Sequence, residues 1–276
     1  MGSKSNWKGA LFLLFLTASL LVSFHPKNPV LISNTHFLLR DTGKYKLVWS
    51  DEFNEREVDT SNWHFEIGGN GWGNHEGEYY QKANATIENG NLVITGRKEE
   101  VDGKMYTSSR MNTQGKHEFL YGKVEARIKL PVGQGFWPAF WMLGSDISSA
   151  GWPSSGEIDI MEHINIDSLI YGTLHWNKNG HIQSGDTILS TPSAYHVYSI
   201  EWDQNSIKWY IDNIKYHEVD IKDGVNHTEA FHHPFFIILN LALGGDWPGK
   251  KVDESMLPAK MYVDYVRVYQ KRSHSK

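Results

Sequence analysis

Three acids fall within six residues of the segment GEIDIMEH, Gly156 to His163: Glu157, Asp159 and Glu162. Glu157 and Asp159 alternate with Ile158 and Ile160. That is the period of a β-strand with its acids on one face and its isoleucines on the other. Strict alternation would then point Met161 to the acid face and Glu162 into the core, where an unpaired carboxylate is costly. A β-bulge absorbing one residue near Ile160-Met161 returns Glu162 to the acid face, and bulges recur beside active sites because they re-aim side chains. The spacing predicts a bulged strand with three carboxylates on one side.

With the bulge absorbed, Glu157 and Glu162 stand four steps apart, roughly 13 Å along the backbone. Side chains leaning inward on a concave sheet would bring the two carboxyls to about 5–5.5 Å, the separation that suits double displacement at a sugar carbon. One carboxylate attacks; the other protonates the leaving oxygen and later takes a proton from water. Asp159, between them, would share a hydrogen bond with the nucleophile, and its charge would help keep Glu162 protonated. Two other readings of the same residues stay open: a solvated strand face, and a metal site of Glu157, Asp159, Glu162 and His163.

The elements that must position these acids read as strands. YGKVEARIKL alternates, with Val124, Ala126, Ile128 and Leu130 to one side and charged residues to the other. YHVYSIEWDQNSIKWYIDNIKYHEV reads as three strands with turns at Asp203–Ser206 and Asp212-Asn213, and Asn89-Gly90 marks another hairpin turn. FFIILNLAL is continuously apolar, as in a strand covered on both faces. In AKMYVDYVRVYQ, strict alternation puts Met261, Val263 and Tyr265 on one face and Val266 and Val268 on the other. No segment after residue 40 keeps a helical period over three turns. The predicted fold is all-β: a jelly-roll sandwich of two antiparallel sheets with a concave cleft.

The expected organisation is one catalytic domain over 45–271, preceded by a linker over 25–44 and followed by a short tail, 272–276. Residues 1–24 read as a signal peptide or N-terminal anchor. Lys4 and Lys8 precede the apolar run Ala10 to Phe24, which is shorter than a comfortable membrane span. A secreted or extracytoplasmic location is therefore expected, with no other membrane association. The chain has no cysteine, which excludes disulfides, thiolate metal sites and a cysteine nucleophile. Its net charge of -5, without a basic run, speaks against nucleic acid as a partner. Eleven Trp and 13 Tyr are enough to build either a large aromatic core or a sugar-binding cleft.

Taken together, GEIDIME, GFWPAFWMLG, WSDEF, GWGNHEGEYY, TSSRM, YGKVEARIKLP, LHW, YSIEWD, LNLALGGDWPG and YVDYVRVY resemble, in order, glycoside hydrolase family 16 in its laminarinase (endo-β-1,3-glucanase) branch. The resemblance spans about residues 45–271. It implies a retaining hydrolase of β-1,3-glucan, with Glu157 as nucleophile, Asp159 as its assisting acid and Glu162 as general acid/base. It implies ring platforms at Trp137, Trp141 and Trp152; the alternative for Trp137 or Trp141 is a place in the core. Arg110 would be a hydroxyl ligand or a structural ion pair, and His175 a partner of Glu162 or a core histidine. Asn70 and Trp72 would line one wall of the cleft, and Asn240 and Trp247 the other.

The same resemblance implies no cofactor for catalysis and a structural Ca²⁺ at Glu52, Gly90 and Asp264, built from carbonyl and carboxylate oxygens. Competing readings are a non-catalytic β-glucan-binding protein, a hydrolase of mixed-linkage glucan, agar or carrageenan, and a transglycosylase. All three acids are present, which favours an enzyme. A monomer is expected.

Overall fold

The computed structural model describes residues 43–272, all within one unit, Asp41–Lys276. The expected signal peptide or anchor, most of the expected linker and the last four residues of the expected tail lie outside the described residues. Two twisted sheets face each other. The seven-stranded sheet runs, edge to edge, His181–Leu189, Leu169–Asn177, Glu157–Glu162, Phe136–Gly144, Phe235–Leu243, Arg110–Asn112 and His64–Glu66. The ten-stranded sheet is centred on Gly122–Lys129, Ala259–Lys271 and Asn91–Val101. Ladders are antiparallel except where Glu78–Tyr80 pairs in parallel with Lys104–Ser108. The three consecutive strands expected after residue 195 are present as His196–Trp202, Ser206–Ile211 and Ile214–Asp220. The second turn holds Asp212 and Asn213 at φ 48° and 71°, the left-handed conformation a tight hairpin requires. No helix among the described residues is long and apolar enough to cross a membrane.

The core lies between the sheets. Val124, Ala126, Ile128 and Leu130 enter it from one side, and Phe140, Met142, Ile158 and Met161 from the other. Phe235–Leu243 is buried throughout, as its composition predicts. Phe235, Ile237, Leu239, Leu241 and Leu243 point into the core, while Phe236 and Ile238 pack with Leu143 in a second cluster.

The final strand departs from strict alternation. Its pairing shifts between Val263 and Tyr265, so Asp264 is an extra residue and the pattern changes phase there. Met261, Val263, Val266 and Val268 consequently all face one core, and Tyr265 lies outside it. A buried aliphatic side chain is worth about 1.5–3 kcal/mol. A ladder hydrogen bond nets about 0.5–1.5 kcal/mol. Keeping two valines inside outweighs the local loss of pairing.

The sequence carries two Asn-X-Thr glycosylation sequons, NAT at Asn84 and NHT at Asn226. Asn84 is fully buried and its amide donates to Thr95 O and Thr107 Oγ1, so the folded chain offers no acceptor there. Asn226 is exposed.

Candidate active site

The acid strand is bulged where its spacing predicts. Against Phe136–Gly144, Glu157 pairs with Leu143, Asp159 with Trp141, Met161 with Phe140 and Glu162 with Ala139. Ile160 is the extra residue, and the two glutamates stand four partner positions apart. Ile158, Ile160 and Met161 are buried in the core, while all three acids line one cavity of ≈ 370 Å³. At the bulge the Asp159 carbonyl accepts a hydrogen bond from Trp209 Nε1 of the opposite sheet, at 2.8 Å. Gly172 makes room for that indole: a Cβ there would meet Trp209 Cδ1 at 2.6 Å and the Tyr216 hydroxyl at 2.3 Å.

In Phe136–Gly144 the alternation decides which aromatic rings are available to a ligand. Phe136 and Phe140 are buried in the core, whereas Trp137 and Trp141 line the cavity. Trp137 Nε1 donates to Glu162 Oε1 at 2.9 Å, and Trp152 Nε1 donates to Glu157 Oε2 at 3.0 Å. Each outer acid therefore has one indole donor. Trp141 Nε1 donates to Asn240 Oδ1 at 2.8 Å. The Arg110 guanidinium lies 5.0 Å from the Trp72 ring and 4.9 Å from Trp141, and its Nε pairs with Glu66. Trp247 stands outside the cavity, its ring edge-on to Trp137 at 5.5 Å and to Tyr171 at 4.9 Å.

Three expected positions need correction, and Trp247, which packs on Trp137 and Tyr171 without lining the cavity wall, is the first. His175 is not paired with Glu162. It stands across the ladder from Glu157, and its Nε2 lies 3.0 Å from Asp159 Oδ2 and 3.9 Å from Glu157 Oε1. Cross-strand register, which no linear spacing reports, put it there. Asn70 does not line the cavity: its Oδ1 accepts from Trp72 N and closes the loop turn, while Asn74 takes the wall position.

Burial dominates the electrostatics of the three acids. It pushes Glu157 up to about 8, helped by the neighbouring Asp159 charge and opposed by His175, Trp152 and Arg110. It likewise pushes Asp159 up to about 8. Glu162 rises well above the ordinary range through burial and the Asp159 charge, with Trp137 opposing. Like charges this close cannot all persist, so the acids titrate as one group that holds few charges at neutral pH.

Several functional neighbours escaped sequence reasoning. Asn240 Nδ2 donates to the Tyr80 hydroxyl at 3.1 Å, and that hydroxyl donates to Glu76 Oε2 at 2.7 Å, so a buried chain stands behind the Trp141 ring. The period-two run Glu76, Glu78, Tyr80 was the available signal. His181, whose Nε2 is 2.8 Å from His175 Nδ1, and Trp209 carried none.

Glu157, Asp159 and His175 each offer a ligand atom within 4.8 Å of one another, and could hold a metal ion. His163 belongs to no such group: it is fully buried and its Nε2 is 2.9 Å from the Asp167 carbonyl. Of the residues expected to hold calcium, Glu52 and Asp264 have carboxylates engaged with arginines, and Gly90 offers only its carbonyl. Arg267 donates twice to Glu52, at 2.8 and 2.7 Å, and Arg127 pairs with Asp264 at 2.7 Å. These guanidiniums oppose a carboxylate-rich site and leave backbone carbonyls as the donors that would fit.

A two-sheet jelly roll whose concave face carries an acid trio between tryptophan donors defines a carbohydrate-active protein. The chain belongs to glycosyl hydrolases family 16, whose model matches residues 73–267. It is 42% identical over 245 residues to a β-glucanase of Rhodothermus marinus, covering 82% of this chain and 85% of that one. It is 46% identical over 237 residues to the clotting factor G α subunit of Tachypleus tridentatus, covering 84% of this chain but only 35% of that protein's length. The laminarinase catalytic domain of Thermotoga maritima superposes with a TM-score of 0.77 at 44% identity, covering 83% of this chain and 100% of that one.

Proposed function

We propose that the chain is a secreted, retaining, endo-acting hydrolase of β-1,3-glucan that also accepts mixed-linkage β-1,3-1,4-glucan. The observation that carries this reading is the pairing of Trp152 with Glu157 and Trp137 with Glu162 on either side of Asp159. Glu157 attacks the anomeric carbon and forms an ester, while Glu162 gives its proton to the departing oxygen. Water then loses a proton to Glu162, attacks the same carbon and releases Glu157. One negative charge thus moves from Glu157 to Glu162 and back. An indole N–H waits at each end, so the charge is met by a fixed donor in both halves of the cycle. Asp159 shares a proton with its neighbours and limits the trio to that single charge.

Proton NMR of laminarin digestion, followed from the first minute, tests this. Wild type releases β-anomer first, and Glu157→Gln releases none. Early α-anomer would overturn double displacement. No product from wild type would leave the binding-protein and galactan-hydrolase readings.

The apolar run Ala10 to Phe24 supports export, and a labelled full-length chain recovered in the medium would bear on it. A Ca²⁺ on the outer sheet near Glu52, Gly90 and Asp264 is supported by the family resemblance alone, and would stabilise the fold without entering the reaction. A melting temperature that rises with CaCl₂ and falls with EDTA is the expected outcome; equal values would dismiss the ion.

A further inference from the structure

His175 has two ring nitrogens and two neighbours. Its Nε2 faces the carboxyl pair, and its Nδ1 meets His181 Nε2 at 2.8 Å. Asp159 Oδ2 is buried and has no other hydrogen-bond partner among the described residues. A buried oxygen in this position is costly unless a donor reaches it. The His175 ring can supply one only when its proton sits on Nε2. A neutral His175 in that form presents a bare Nδ1, which in turn needs a donor.

From this geometry we infer that His181 is a positioning residue for the reaction. Its Nε2–H donates to His175 Nδ1 and pins His175 in the form that presents Nε2–H to Asp159. Oδ2 of Asp159 accepts this bond, and its Oδ1 is left for the neighbouring glutamates. His181 sits at the start of the edge strand His181–Leu189, opposite Asn177, two residues before the partner of His175. The Trp152 ring packs on it with centroids 4.6 Å apart. That indole is the one that donates to Glu157. One side chain therefore steadies both groups that touch the proposed nucleophile, without reaching the cleft. The charged groups facing the pair are Glu157 and Asp159 from the acid strand, with Glu162 beyond Asp159.

The inference rests on the glucanase reading for its kinetic arm only. The first measurement needs no substrate. In ¹⁵N-histidine-labelled protein, His175 is expected to carry its proton on Nε2. His181→Phe keeps a ring beside Trp152 but removes the donor, and the His175 proton then redistributes to Nδ1. His181→Gln, with an amide donor, restores the Nε2–H form. On laminarin, His181→Phe is expected to lower kcat by about tenfold or more with KM within about twofold, as a misplaced catalytic group does. His181→Gln recovers most of that loss.

A wild-type His175 protonated on Nδ1 would overturn the inference. So would a His181→Phe protein with unchanged tautomer and kcat, or one altered in KM alone. An inactive wild type would instead refute the glucanase reading and leave the tautomer measurement standing.

Discussion

Trp209, rooted in the ten-stranded sheet, donates its indole N–H to the backbone carbonyl of Asp159 at 2.8 Å, at the bulge that sets the acids in place. The bulge interrupts the ladder between Asp159 and Glu162, so this bond satisfies a buried carbonyl at the break. The core thus holds the acid strand from behind, and Gly172 is the clearance that lets it do so.

Trp209→Phe keeps the ring and deletes the donor. The unsatisfied carbonyl should cost about 1–3 kcal/mol, read as a lower urea midpoint with an unchanged slope. The laminarin rate should fall with it. A variant matching wild type in both midpoint and rate would show that the bulge is held by other contacts.

Trp137→Phe removes the hydrogen bond that holds Glu162 down against burial and the Asp159 charge. The proton affinity of Glu162 then rises further. As the proposed general acid, Glu162 stays protonated to higher pH, so the alkaline limb of kcat/KM should move upward. An alkaline limb that stays put, or moves down, would count against Glu162 as the acid or Trp137 as its donor.

The buried acids also make stability depend on pH. Burial pushes Glu157 and Asp159 up to about 8 in the folded protein, so beside the single charge it carries the trio keeps protons that the unfolded chain releases near 4.5 and 3.8. Between those limits the native state binds more protons, so this contribution is fully present below the ordinary carboxylate range and is lost as pH rises toward 8. Melting temperatures should therefore fall more steeply over that window in wild type than in Glu157→Gln. The variant should be the more stable of the two at pH 8 and nearly equal at pH 4. Parallel curves would show that the acids are better solvated than their burial implies.

Much of this molecule was legible one residue at a time. Alternation around Val124–Leu130 located an inward face, and the break in GEIDIME called for a bulge, because a carboxylate in the core is too costly for any other register. The same logic stopped short at Asp264, where the acid is itself the extra residue and no misplaced carboxylate called for a change of phase. Only the buried valines on both sides of that residue revealed it, once the sheets had closed.

Sequence by itself determined the two-sheet class, the bulged acid strand and the residues that resemble a β-glucanase site, since period and turn chemistry act between neighbours in the chain. Tertiary structure alone decided that His175 serves Asp159 and not Glu162, that Asn74 and not Asn70 reaches the cleft, and that Trp209 supports the bulge. Those outcomes depend on which strands lie side by side and which sheet covers which, and burial, not spacing, chooses among them.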